Sequence, residues 1–283
     1  MAENRGGAVA FGGGLTLDLG GNTAKARPMH LDVQDLRNFY YRGPLGRAAQ
    51  KVMRDALAMW WPQATAETLV GYGFAVPLLR PYLDQARRVL ALMPGPQGVM
   101  SWPQGMPNIS VLVEPAMWPL GTGMVDKLVV LHGLESTDHP GALLDECWRV
   151  LGPGGRAVFI LPNRAGLWSH SDKTPFGFGQ PYTTGQLEAA LLRHGFSIER
   201  SLSTLYQPPS TKPVWRRLAP LMEGAGAHLP VLKAGGVVMV EVSKQVFAPR
   251  SGVNVSLRNR LPRLTGVAQP AVRGPVAGRQ GPG

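Results

Sequence analysis

Hydrophobic positions fall into two kinds of run along the chain. Short, nearly continuous apolar stretches occur at 67–72, 88–93 (RVLALM), 109–113, 128–131 (LVVL), 156–161 (RAVFIL), 196–205 and 236–242 (GVVMVEV). Runs of this length, bounded by Gly and Pro, predict buried strands. Between them, apolar residues return every three or four positions. Leu36, Phe39, Leu45, Ala48 and Val52 do so over 31–61, where Pro44 divides the stretch into two helices. Val76, Leu78, Leu79 and Leu83 suit a short helix. Leu143, Leu144, Cys147, Trp148 and Leu151 share one face of a helix over 138–151, stopped by Gly152-Pro153-Gly154-Gly155. A further helix spans 184–194 and closes at Gly195.

Strands that alternate with helices imply crossovers and a mainly parallel sheet covered on both faces. The expected fold is α/β: a doubly wound, seven-stranded Rossmann-like sheet with the last strand antiparallel, in three α/β/α layers. A helix is expected after each of the first five strands. An insert at 206–234, carrying Trp215, Arg216 and Arg217, separates the last two strands. In such sheets ligands bind beyond the carboxyl ends of the strands, at the switch point.

Composition narrows the class. Of 283 residues 44% are apolar, enough for a packed core, which excludes wholesale disorder. The single cysteine, Cys147, excludes an internal disulfide framework and a cysteine-rich zinc site. The six histidines form no set with carboxylates at metal-ligand spacing, so no metal is expected. No run of about 20 apolar residues suggests a spanning helix. Glu3 and Arg5 are followed by glycines rather than an apolar core, so no secretory leader and a cytoplasmic location are expected. Six of the eleven net positive charges are arginines in 248–283, a segment without Lys, Asp or Glu. That segment reads as a disordered basic tail, and the Gly-rich 1–28 as flexible, leaving a folded domain at 29–247. The tail either contacts an acidic partner or only solubilises.

The stretch 125–163, VDKLVVLHGLESTDHPGALLDECWRVLGPGGRAVFILPN, carries the most information. A strand, a His-containing turn, a helix ending in RVLGPGG and an apolar strand ending in PN follow one another. This resembles the fourth-to-fifth strand segment of class I S-adenosylmethionine (SAM)-dependent methyltransferases. The nearest resemblance is to the broad bacterial "type 11" methyltransferase domain, over 67–196 and more weakly to 242.

The resemblance implies S-adenosylmethionine as cofactor and assigns residues to it. The family's D-x-G-x-G-x-G corresponds here to Leu69-Val70-Gly71-Tyr72-Gly73-Phe74-Ala75. Gly71, Tyr72 and Gly73 would form the cofactor turn, with Leu69 in place of the acid. At the end of the second strand, where the family grips the ribose with an acid, Met93 stands instead. Glu114 matches an adenine-proximal position after the third strand. His132, just past the fourth, faces the cofactor, acts as a base, or is a hydrogen-bonded structural histidine; Glu135 behind it either orients it or is solvated. The loop after the fifth strand supplies Trp168, His170, Asp172, Phe176, Phe178 and Tyr182, with Gly177 and Gly179 as hinges. Trp168, Phe176 and Tyr182 are expected to line an acceptor pocket, unless the loop is packed by its own aromatics. His132 and His170 are the candidate catalytic bases.

The implied activity is methyl transfer to a small-molecule or lipid-like acceptor. Because the sulfonium already activates the donor, positioning supplies much of the acceleration. The alternative is a catalytically weakened binding or regulatory subunit, favoured by the missing acids at Leu69 and Met93, with a protein as partner. Nucleic acid is not an expected partner, since only the tail argues for it. A nicotinamide enzyme is disfavoured because Val76 breaks the G-x-G-x-x-G/A spacing.

Overall fold

The computed structural model describes residues 31–228 and 234–245. The expectations for 1–28 and 248–283 fall outside the described residues. Seven strands form one sheet in the order β3-β2-β1-β4-β5-β7-β6: β1 Thr68–Gly73, β2 Arg88–Pro94, β3 Ser110–Val113, β4 Val125–Leu131, β5 Leu151–Pro162, β6 Ser197–Thr204 and β7 Val237–Ser243. The first five are parallel, and β7 runs antiparallel to both β5 and β6. In the central register Val70 pairs with Leu90 on one side and Leu128 on the other. The sequence-derived fold class matches this architecture.

Side-chain alternation sorts the strand residues into two cores. Leu69, Met93, Leu131 and Ile160 pack beneath α1 (Val33–Arg37), α2 (Pro44–Trp60) and α3 (Val76–Leu79). Val70, Tyr72, Leu92, Val130 and Phe159 pack against α4 (Pro140–Val150) and α5 (Thr184–Arg193). Since both faces are covered, the strands read as continuous apolar runs rather than alternating ones. Helix ends follow local chemistry. Asp32 accepts from the Gln34 N–H at 2.6 Å ahead of α1, and Thr183 and Gln186 form a reciprocal capping box at α5. The insert between β6 and β7 contains α6 (Pro213–His228). Between α1 and α2 the chain takes one π-helical segment, Asn38–Arg42.

Two expected crossover helices are absent. The β2–β3 connection contains only the 3-10 turn Gly95–Gln97, and the β3–β4 connection contains no helix. Prolines explain both. Pro94, Pro96, Pro103 and Pro107 in the first, and Pro115 and Pro119 in the second, remove amide donors and restrict the residues before them. The GPGG run does not itself end α4: the helix stops at Val150 with Leu151 as its C-cap, and residues 152–155 lie within β5. The β4–β5 register shifts between Val125 and Lys127.

Candidate functional site: a cleft over the parallel strands

A cleft of about 460 Å³ opens beyond the carboxyl ends of β1–β4. Tyr72, Pro94, Gln97, Glu114, Met117 and Ser136 are among its walls. Its volume lies in the range of small-ligand sites. Tyr72 is placed from below. Its ring stacks on Trp118 with centroids 4.8 Å apart, and Gly133 lies against its edge, where a Cβ would come within 2.7 Å. Trp118 is in turn tied to α4: its backbone N–H donates to Glu146 Oε1 at 2.7 Å. Arg149 grips the same carboxylate at 2.6 Å. The Arg149 bond, opposed by burial and joined by the Trp118 amide, holds the Glu146 carboxyl below the usual range. Burial lifts the Tyr72 phenol far above its ordinary value, so the cleft floor is a neutral hydroxyl.

Beside the cleft lies a buried polar chain. The Tyr40 hydroxyl is 2.7 Å from His132 Nε2, and His132 Nδ1 is 3.0 Å from Glu135 Oε1. All three side chains are buried. Burial first, then Glu135, raises the Tyr40 phenol well above its ordinary value, which keeps its hydroxyl neutral. A carboxylate only accepts, so Nδ1 carries a hydrogen toward Glu135 while Nε2 shares a hydrogen bond with the Tyr40 hydroxyl. His132 has φ +53, a left-handed conformation that is uncommon outside Gly. Its side-chain bonds hold it there, together with the Ser136 hydroxyl donating to its carbonyl at 3.1 Å. Phe74 stacks on Tyr40, and Phe176 lies 4.9 Å from the imidazole. The imidazole is therefore enclosed by aromatic rings.

Two buried acceptor atoms here have no hydrogen-bond partner, Gln97 Oε1 and Glu135 Oε2. Gln97 lines both the cleft and a small hollow of about 20 Å³, and Glu135 lines that hollow with it. Buried acceptors without donors are costly and call for a ligand, ion or water.

The residues singled out in sequence are distributed unevenly around this region. Tyr72 and Glu114 line the cleft. Gly71 lies within β1, where a Cβ would meet Leu79 Cδ1 at 2.5 Å, so its bareness serves the packing of α3. Gly73 has φ +75, and a Cβ would strike the Leu131 carbonyl. Met93 is fully buried on the opposite face of β2 from the Tyr72 core, and its neighbour Pro94 reaches the cleft. His132 lines the small hollow with Gln97 and Glu135 rather than the cleft, and both its ring nitrogens are engaged. His170 is exposed at the end of the turn Leu167–His170 and lines neither the cleft nor the hollow beside it. Trp168 is fully buried, donates to the Gln207 carbonyl at 2.7 Å, and packs edge-on against Phe176. Phe176 is equally buried, whereas Tyr182 is half-buried, with Glu135 raising its phenol further after burial. Sequence reading missed Tyr40 and Gln97. Tyr40 lies in an ordinary amphipathic run, and Gln97 follows a Pro-Gly-Pro break, so neither belongs to a motif.

Residues 70–159 match a family model described as a methyltransferase domain. Solved structures agree on the fold. A SAM-dependent methyltransferase from Thermotoga maritima, described as a possible histamine N-methyltransferase, is 17% identical. It aligns over 75% of this chain and 96% of its own, with a TM-score of 0.53. The methyltransferase assigned in a complex with the Haloferax volcanii Trm112 methyltransferase activator is 15% identical over 76% and 95% of the chains, with a TM-score of 0.55. A SAM-dependent methyltransferase from Archaeoglobus fulgidus is 14% identical over 75% and 100%, with a TM-score of 0.50. No curated protein sequence matches the chain significantly. Residues 70–159 thus match a methyltransferase domain whose fold the solved structures share, and S-adenosylmethionine is the cofactor that such a domain implies. The two donor-free acceptors suit it, because the cofactor carries an ammonium and a sulfonium. No helix among the described residues is long and apolar enough to cross a membrane.

Proposed function

We propose that the protein is a SAM-dependent methyltransferase acting in the cytoplasm on a small-molecule or lipid-like acceptor. The observation that carries this reading is the cleft at the switch point, whose buried Gln97 Oε1 lacks a donor. Gln97 and Glu135 would accept from the cofactor's ammonium. Tyr72, Pro94 and Met117 would supply the apolar walls for its adenosyl part, and Glu114 a rim acceptor. When bound, the cofactor supplies a methyl group on a cationic sulfur. The chain's own residues orient it, exclude water and set where the acceptor lone pair lies. In this arrangement His132 is a positioning residue. Bonded to Tyr40 through Nε2 and to Glu135 through Nδ1, it locks the turn after β4, whose Gly133 and Ser136 line the cleft.

A second reading is favoured by the enclosure of His132 behind Tyr40, Phe74 and Phe176. With both sequence-predicted bases outside the cleft, which Glu114, Asp138 and His139 line instead, the arrangement suits a binding or regulatory subunit that keeps the fold without turnover.

Calorimetric titration of the full chain with SAM and S-adenosylhomocysteine tests the proposal. Ala142→Trp, at an exposed position of α4 on the cleft wall, should abolish binding without disturbing the core. Gln97→Ala should weaken it by roughly tenfold, the worth of one charge-assisted bond. An unaltered affinity in Ala142→Trp would remove the cofactor from this cleft. Binding without methyl transfer across an acceptor panel would favour the second reading.

A further inference from the structure

A second cavity, of about 590 Å³, lies apart from the residues of the first, between the α1 region and the β2–β3 connection. Arginines from three elements meet on its wall: Arg37 ends α1, Arg42 ends the π-helical segment, and Arg80 starts the 3-10 turn Arg80–Tyr82. No Asp or Glu lines the cavity. Among the described residues none of these three arginines forms an ion pair with a carboxylate. Elsewhere among the described residues Arg87, Arg149, Arg156 and Arg200 find acids, and the other unpaired arginines do not share a cavity wall as these three do. Three like charges converging without a counter-charge repel one another unless an anion joins them.

The remaining walls add shape. Tyr41 stands between the arginines: burial raises its phenol, while Arg80 and Arg37 pull it back, placing both guanidinium groups within electrostatic reach of one hydroxyl. Trp102 and Met106 offer flat and apolar surface. We propose that this cavity is a binding site for a phosphorylated small molecule or a phosphate-bearing headgroup, its phosphate held by Arg37, Arg42 and Arg80 and its apolar body laid along Tyr41, Trp102 and Met106. Phosphate is favoured over a single carboxylate because it carries more charge and offers each planar guanidinium fork a pair of oxygens. The site does not depend on the methyltransferase reading.

Calorimetry of the full chain with inorganic pyrophosphate and with phenyl phosphate tests the free-ligand source. Co-sedimentation with vesicles of phosphatidic acid, a phosphomonoester, in phosphatidylcholine tests the headgroup source. Either probe should bind the native chain, and Arg37→Gln or Arg80→Gln should weaken that binding at least tenfold with unchanged circular dichroism. Arg193→Gln, an exposed arginine at the end of α5, should bind as the native chain does. The arm that responds identifies the source. Binding that survives both cavity substitutions would place the anion elsewhere, for example on the arginines of 248–283, and overturn the proposal. So would the absence of binding to either probe by the folded protein.

Discussion

The Tyr40 hydroxyl lies 2.7 Å from His132 Nε2, joining residues 92 positions apart. This one bond ties the N-terminal π-helical segment to the turn after β4, and it meets a second bond from Glu135 on the far side of the ring. The pair explains how a non-glycine residue is kept at φ +53 beside a ligand cleft. Backbone strain of this kind persists only where surrounding contacts over-determine it.

Tyr40→Phe removes the hydroxyl and leaves a buried ring nitrogen unsatisfied. The expected loss is about 1–3 kcal/mol in urea unfolding. A structural role alone would stop there. If His132 positions the cleft edge, the variant should also release the Nδ1–H tautomer, visible as a changed imidazole nitrogen spectrum. It should weaken SAM binding as well. Unchanged stability together with an unchanged spectrum would remove Tyr40 from this arrangement.

The glycines of β1 lead to an ordered pair of outcomes. In Gly71→Ala the new Cβ meets the far end of the flexible Leu79 side chain and the Ala75 methyl, so partial repacking is available and about 1–3 kcal/mol is lost. In Gly73→Ala the Cβ meets the Leu131 carbonyl and the backbone of His132, and φ +75 adds its own strain. Gly73→Ala should therefore be the more damaging of the two in thermal melts. The reverse order would contradict the packing described for β1 and β4.

These glycines also show what the sequence makes legible. The strands were readable because a sheet buried on both faces leaves unbroken apolar runs, as in LVVL and GVVMVEV. The G-x-G pair reads as a turn, yet Gly71, Tyr72 and Gly73 all lie within β1, and the sequence does not say that Leu79 occupies the space above Gly71. Met93 illustrates a parity limit. It ends a strand at the right level, yet alternation turns its side chain into the core beneath the helices, and Pro94 meets the cleft instead. The missing crossover helices were written in six prolines whose combined effect outweighs the usual βαβ pattern. Tyr40, Gln97 and the three cavity arginines come together only through tertiary folding, so no local spacing announces them.

Acid stability should depend on Glu241. This residue on β7 is fully buried and accepts from Trp61 Nε1 at 2.7 Å, from Arg156 at 3.2 Å and from Arg200. Burial raises its carboxyl, but Arg200, Trp61 and Arg156 together outweigh burial and hold it below the ordinary value. A carboxyl with a depressed folded pKa contributes stability above its unfolded pKa, near 4.3, and loses it as pH falls through the folded value. Native stability should therefore decline below about pH 4.3, with a shallower decline in Glu241→Gln. At pH 7 that variant should be less stable by about 2–4 kcal/mol, since two arginines lose their shared partner. Parallel acid profiles for the two proteins would discount Glu241 as a source of the pH dependence.

The last relationship runs from α4 to the cleft floor. Glu146 accepts the Trp118 amide, and Trp118 stacks beneath Tyr72. In Glu146→Gln, Arg149 loses its ionic partner, while the amide oxygen remains able to accept from the Trp118 backbone. In Glu146→Ala both are lost, and the Trp118 amide is left without its acceptor, with Arg149 still holding the loop 115–123 to the helix. The two variants should differ: Glu146→Gln should keep near-native SAM affinity, while Glu146→Ala should lose roughly tenfold because Tyr72 no longer has a fixed support. Trp118 itself is the reporter, since its fluorescence should shift on ligand binding in the native chain and in Glu146→Gln. Equal affinities in all three proteins would mean that the stacked Trp118–Tyr72 pair does not shape the ligand site, and the cofactor would have to be sought on the Gln97 side of the cleft alone.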